Sequence, residues 1–571
     1  MELTPSKDTK VAYFSMEIAL ASDVPTYSGG LGVLAGDTLR SAADLELPMV
    51  AITLCYVAGY FYQQIDPSGY QTEREINWEF SSELQEEKTR IKLEVEDKTF
   101  QVKAWRYNVI GQGGHIIPVY LLDSDVEGNE DWQKRFTHVL YDATPYQRAV
   151  QEMILGIGGA RLLEKLGYTE LDTYHVNEGH AAMLALELLK KYKKPEEVRR
   201  RMVFTTHTPV PAGHDKFDWS IIDNIFRQRA PPNFRELAGK DQFNTTVLAM
   251  SFARYVNGVS RKHGEVTREM FPDQADRIDY ITNGIHVGFW VSKPMRRVFT
   301  KFLPGWHVHP SIFSRAMEID AEDLWQAHLE NKDELIDYEK SHSWLLLDKH
   351  QLTVGFARRI TQYKRPLLLF HNLERLANVS KGKVQYIFAG KCHPKDNSAK
   401  GFIKTIHDHS KYLWDSYRVR VAFLENYDID LAHLLVAGVD VWLNNPKRYL
   451  EASATSGMKA TVNGVQNFSV LDGWWLEGYE QDPLAGWKIG PAPSDPNPTE
   501  DNWDKESSEI YSTIENEIVP LYYDDRNGWV SRMKHSIKLA AFFNSHRMVY
   551  EYAAKAYQLE RQPRWKSLAL L

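Results

Sequence analysis

Short apolar runs, each stopped by a polar turn and followed by a helical pattern, recur along the chain and restrict it to an α/β fold with parallel sheets. In the second half they are Leu352–Ala357, Val384–Ala389, Val419–Leu424 and Val439–Asn444. In the first half the clearest is Val11–Met16, with Glu17 at its carboxyl end. Tyr174-His175-Val176-Asn177-Glu178-Gly179-His180, Val203–His207 and Ile281–His286 repeat the pattern. Polar residues at the carboxyl ends of parallel strands collect along one sheet edge, where doubly wound folds build their ligand sites.

A chain of 571 residues exceeds one ordinary core, and its length predicts roughly two to four domains. The expected division is a Rossmann-like domain over 1–305 with a β-rich insertion near 50–125, a helical connection over 306–350, a second Rossmann-like domain over 351–545, and a tail over 546–571 that crosses back. Alternating stretches such as Ile91–Glu96 and Phe100–Trp105 carry the insertion. Composition excludes several classes of function. A formal charge of −8 argues against a nucleic-acid or anionic-membrane binder, so any anion site must be local. Two distant cysteines, Cys55 and Cys392, offer no disulfide framework or zinc cluster, and they fit a reducing cytoplasm. Residues 1–10 are polar and make no secretory signal, and no apolar run is long enough to span a bilayer.

Three stretches point to chemistry. Ser28-Gly29-Gly30-Leu31-Gly32 opens a helix and offers backbone amides to an anion, although glycines in such a loop also serve tight packing. It satisfies the spacing of a dinucleotide loop, but it does not leave a strand directly and lacks the downstream acidic residue. Arg358, Arg359, Lys364 and Arg365 crowd one strand end and would repel each other without an anion, which points to phosphate. A helix Pro366–Leu376 is expected to follow. Glu451-Ala452-Ser453-Ala454-Thr455-Ser456-Gly457-Met458-Lys459 combines a carboxylate, small residues and one lysine at the start of a helix. That lysine has the chemistry for an anion contact or a Schiff base. His175 and His180 with Glu178 lack the helical spacing of a zinc motif, and no metal is expected.

At these residues the sequence closely resembles the α-glucan phosphorylase family, from about Val11 to Ile489, and its compact prokaryotic branch in particular. Glu451–Lys459 resembles the family's cofactor motif, Arg358–Arg365 its phosphate motif, and Phe423–Tyr427 and Gly29–Gly32 two further elements. The resemblance implies two Rossmann-like domains facing across a cleft, and pyridoxal 5′-phosphate held on Lys459 as a Schiff base. It assigns Arg358, Tyr427, Thr455, Ser456, Gly457 and Gly30 to the cofactor's surroundings, and Arg359 and Lys364 to substrate phosphate. It implies sugar contacts from Glu451, Ala452, Ser453, Ala454, Gly29, Gly30, Leu31, Glu178 and His180, and from His207 through its backbone. The implied activity transfers the terminal glucosyl unit of glycogen, starch or maltodextrin to inorganic phosphate, giving α-D-glucose 1-phosphate with retention. A cytoplasmic location is expected from the composition, and a homodimer is a compatible assembly.

The departures are specific. Ala454 and Ser456 stand where the best-known members carry glycine, and Gly457 where they carry asparagine. If the backbone at Ala454 requires positive φ, its methyl costs about 1 kcal/mol, which bears on activity more than on cofactor binding. No segment for phosphorylation or nucleotide control is expected ahead of the first strand. Two alternatives stand beside the phosphorylase reading. One is a nucleotide-sugar glucosyltransferase of the same architecture, which has no use for Lys459. The other is a catalytically weakened glucan-binding homologue.

Overall fold

Every apolar run named above becomes a buried strand or strand end in the computed structural model, which describes residues 8–559 except 77, 79, 81, 82, 142, 143, 232, 496 and 498. Residues 1–7 and the distal part of the expected tail, 560–571, lie outside the described residues. The fold class is α/β, and the chain divides into two compact units. The first comprises residues 1–61, 75–282 and 545–571, and the second 62–74 and 283–544.

The first unit is built on a sheet whose main strands are β1 (Val11–Ser15), β2 (Met49–Leu54), β3 (Lys98–Ile110), β4 (Ile116–Asp123), β5 (Thr173–Asn177), β6 (Met202–Thr205), β7 (Tyr255–Gly258) and β8 (Ile278–Tyr280). Their order is 8-7-6-5-1-2-4-3, parallel except for β3. The chain runs outward from β1 in both directions, so the topological switch point lies between β1 and β5. Within the expected β-rich stretch 50–125, Ile91–Val95 pairs antiparallel with β3, Leu93 opposite Phe100, but the stretch is joined to the main sheet. β2 is central, and β4 pairs with it in parallel, Ala51 opposite Val119, so that β3 and β4 extend the main sheet. The hairpin Tyr62–Ile65 with Gln71–Arg74 belongs to the second unit instead. Ser545–Glu551 and the turns after it join the first unit, where Met548, Val549, Tyr552 and Tyr557 share a core with Val11, Tyr13 and Leu39.

The second unit holds β9 (Leu352–Ala357), β10 (Val384–Ala389), β11 (Val421–Leu424), β12 (Val441–Asn444), β13 (Gln466–Val470) and β14 (Gly486–Ile489), all parallel in the order 11-10-9-12-13-14. Its switch point lies between β9 and β12.

Two sequence expectations change here. The division falls after Thr282 rather than at 305, and the stretch 306–350 is part of the second unit rather than a connection. Its helix, Ala321–His342, carries the fully buried Lys332 and His328, which meet the Asp440 carboxylate ahead of β12. It also packs so closely that a Cβ on Gly438 would lie 2.6 Å from Leu335. The helix expected over Pro366–Leu376 is replaced by a short turn at Leu368–Phe370 and a helix over Leu373–Ser380. The Asn372 side chain accepts from Arg375 N–H at 2.9 Å and caps the later helix at its start.

Candidate active site

The switch point of the second unit gathers the strand-end residues. Arg358, just beyond β9, donates to Asn444 at the end of β12 and to the Glu451 carboxylate. Asn444 Nδ2 donates to Ser469 Oγ on β13 at 2.9 Å, so three neighbouring strands are tied at their carboxyl ends. Lys364 Nζ reaches the same Glu451 oxygen as Arg358. Burial pushes the Glu451 carboxyl up, but Arg358 and Lys364 together outweigh it and hold it below its ordinary value.

The cation cluster therefore carries internal counter-ions. Arg358 and Lys364 share Glu451, while Arg365 is buried against Glu506 and Asp501 at 2.6 and 2.9 Å. Repulsion among four cations thus does not by itself require a bound anion, and Arg365 is structural. Arg359 is exposed at the turn.

The Glu451 backbone N–H donates to Asp472 Oδ2 at 2.9 Å, and Gly473 N–H to Asp472 Oδ1 at 2.8 Å. Burial, aided by the Glu451 charge, pushes Asp472 up to about 7 against these hydrogen bonds. Burial likewise pushes the Tyr427 phenol up, with Arg358 opposing.

Ala454 takes φ 64°, ψ 52°, the left-handed conformation that its sequence position put in question. It precedes the helix Thr455–Val462, whose N-terminus has no side-chain cap. Orphan N–H groups at such an end attract anions. Ser453 Oγ, buried next to this turn, has no hydrogen-bond partner among the described residues. Ser456 is occupied, since Trp442 Nε1 donates to its Oγ at 3.2 Å. Gly457 is sterically required, because a Cβ would lie 2.9 Å from both Asn467 and Trp474. Ala452 is buried in the same turn.

Lys459 is buried, with Nζ 4.2 Å from the centre of the Trp290 ring. Asn463 makes this pairing: its amide donates to the Lys459 and Trp290 carbonyls and accepts from Ser292 N–H. Trp290 in turn stacks on His433 at 4.4 Å. Trp290, Asn444 and Asp472 escaped the sequence reading because each comes from a segment without a charged motif.

The first unit's switch point holds a second polar cluster. Glu17 Oε2, beyond β1, accepts from Ser28 N–H at 2.5 Å and Gly29 N–H at 3.1 Å, while Tyr141 donates to Oε1 at 2.7 Å. The first amides of the glycine loop thus hold the protein's own carboxylate. A Cβ on Gly29 or Gly30 would meet nothing within 4 Å, whereas one on Gly32 would lie 2.7 Å from Tyr27. Close packing therefore explains Gly32 alone, and the open side at Gly29–Gly30 leads into the uncapped helix Gly30–Asp44 that contains Leu31.

His207 engages Asn177 Oδ1 through Nε2 at 2.7 Å, and its backbone N–H donates to Glu178 at 2.7 Å, so of its backbone the carbonyl is what remains to offer a ligand. Glu178, strained at φ 68°, also accepts from Gly179 N–H and Thr208 Oγ1; its carboxylate organises this turn. His180 Nε2 lies 3.6 Å from Asp215, which Arg148 also contacts at 2.7 Å. Burial, helped by Arg148, pushes His180 down to about 3, leaving it neutral. His175 is a core residue bonded to Tyr557 and Thr205.

Comparison with known proteins decides the family. The sequence model of the carbohydrate phosphorylase family matches residues 233–481. A maltodextrin phosphorylase of Thermococcus litoralis is 38% identical, over 97% of this chain and 71% of its own length. The chain belongs to the carbohydrate phosphorylase family. A glycogen phosphorylase of Aquifex aeolicus is 36% identical over 96% of this chain and 86% of its own. An uncharacterized protein of Methanocaldococcus jannaschii is 32% identical over 96% and 99%. Within this phosphorylase chain, both clusters sit where open parallel sheets bind ligands. Among the described residues no helix is long and apolar enough to cross a membrane.

Proposed function

We propose that the protein is an α-1,4-glucan phosphorylase that moves the non-reducing-end glucosyl unit of glycogen, starch or maltodextrin to inorganic phosphate. The observation that carries this reading is the Arg358–Lys364–Glu451 assembly beside the uncapped helix that bears Lys459. Pyridoxal 5′-phosphate fits the residues present. A buried lysine lies against a flat indole, an uncapped helix start offers backbone amides, and among the described residues the Ser453 hydroxyl has no hydrogen-bond partner. Lys459 would hold its carbonyl carbon, and the amides of Thr455 and Ser456 with Arg358 its phosphate, since the Gly457 N–H already donates to the Ala454 carbonyl at 3.2 Å. When bound, the cofactor supplies an acidic phosphate group beside the substrate phosphate.

The chain's own residues do the rest. Arg359 and Lys364 hold substrate phosphate as bidentate fork and point charge. Glu451 sets the direction of Arg358 and Lys364, so they are aligned before phosphate arrives. Asp472 holds the Glu451 backbone in place. In the first unit, the Gly30 and Leu31 amides and the His207 carbonyl suit a sugar–phosphate acceptor and donor hydroxyls. The oxocarbenium-like transition state is stabilised by phosphate, so a hydrolase's pair of catalytic carboxylates is not needed.

An absorbance scan of purified protein tests the cofactor. The expected result is a Schiff-base band in the near ultraviolet or visible that is absent in Lys459→Ala. A wild type without the band favours the nucleotide-sugar glucosyltransferase instead.

A further inference from the structure

The hairpin Tyr62–Ile65/Gln71–Arg74 is the one part of the first 282 residues that belongs to the second unit. Few of its residues are apolar, so it docks mainly through hydrogen bonds. Ile65 N–H donates to Glu425 at 2.7 Å and Glu73 pairs with Lys400 at 2.7 Å, and two glutamines make the buried part of the contact: Gln63 is 0% exposed and Gln71 3%. Gln63 Nε2 donates to the Gly390 carbonyl and to Gln71 Oε1, both at 2.8 Å. Gln71 takes both backbone groups of Cys392, accepting its N–H and donating to its carbonyl at 3.0 Å each. Gln63 also exchanges two hydrogen bonds with Asn426, which is held left-handed at φ 55° just before Tyr427.

The gripped turn supports the cations. Gly390 lies so close to the next strand end that a Cβ there would be 2.0 Å from the Arg358 carbonyl oxygen. On either side of that contact, Arg358 N–H donates to Ala389 and Ile360 N–H to Lys391, at 3.1 and 2.9 Å. Residues 390–392 are thus the bed on which Arg358-Arg359-Ile360 rests. Burial pushes Lys391, in the middle of that bed, down to about 8. A fully satisfied buried amide pair specifies one geometry, because removing either partner strands the other in a dry site.

We infer that Gln63 and Gln71 are positioning residues for phosphate: by clamping the 390–392 turn they fix the Arg358–Ile360 cation turn. The inference rests on the phosphorolysis proposed above and adds a structural determinant for its anion subsite. Glutamine suits the task because it offers a donor and an acceptor to the backbone without adding charge beside the cations.

The test uses the holoenzyme and its Gln63→Ala, Gln71→Ala and uncharged, similarly sized Gln63→Met variants, read by calorimetric titration with inorganic phosphate and by steady-state kinetics. Each variant is expected to bind phosphate at least five-fold more weakly, with KM for phosphate rising in step and KM for maltodextrin within two-fold. Amide exchange at Cys392 and Asn426 should accelerate in the alanine variants. Should an alanine variant fail to fold, Gln63→Met carries the test. Unchanged phosphate affinity in a folded variant with faster Cys392 exchange overturns the clamp, as does equal weakening towards both substrates. A wild type that binds phosphate but releases no glucose 1-phosphate overturns the phosphorolysis reading, and the calorimetric arm still decides the clamp.

Discussion

Ala454 carries a left-handed backbone with a methyl group, four residues ahead of Met458 in the lysine-bearing stretch. An L-residue in this region costs roughly 1–2 kcal/mol, and glycine gives back part of the gain through a freer unfolded chain. Ala454→Gly is therefore expected to raise stability by about 0.5–1 kcal/mol, measured by chemical denaturation. Asp472 leads to a pH prediction. Its folded-state value near 7 lies above the ordinary carboxylate value, so between these limits the folded state binds the extra proton. Its contribution to stability is therefore present at low pH and lost as pH rises towards 7. Relative to wild type, Asp472→Asn should gain about 2–4 kcal/mol between pH 5 and pH 8. A constant difference in melting temperature across that range would contradict the assignment. At this scale Lys459, Arg358 and Glu451 were legible as motif positions. Their counter-ions were not: Glu451 for Arg358 and Glu506 for Arg365 lie far along the chain and meet them only through the sheet.

The elements hold the site by fastening strands at both ends. Opposite the ligand edge, Asp440 accepts from Thr353 N–H, from His328 and from the fully buried Lys332, joining the starts of β9 and β12 to the helix Ala321–His342. Burial pushes the Asp440 carboxyl up, but Lys332 and His328 hold it below its ordinary value. Removing one partner leaves a buried charge, so Lys332→Ala should cost about 3–5 kcal/mol in a denaturation experiment. Short strands were readable because their apolar runs end in polar turns. The helix Ala321–His342 reads as a connection in sequence because its surface is charged, and Lys332 and His328 look solvated until Asp440 is placed beside them. The Tyr62–Arg74 hairpin carries no sequence signal for its docking, because two glutamines in a polar strand pair predict only exposure.

The whole molecule repeats one solution twice: each unit is an open parallel sheet, and each puts its functional residues at the switch point between strands leaving in opposite directions. That architecture was legible from alternation alone, while the boundary at Thr282 was not, since it falls just before a strand-end turn with no linker composition. The central claim is that the Lys459 site carries out phosphorolysis of an α-glucan. Its most direct test is the release of glucose 1-phosphate from maltodextrin, followed by phosphorus NMR with and without inorganic phosphate. The account predicts release by the wild type that depends on phosphate and falls at least a thousand-fold in Lys459→Ala. Release at an unchanged rate in Lys459→Ala, or no release by a wild type carrying its cofactor, would contradict it.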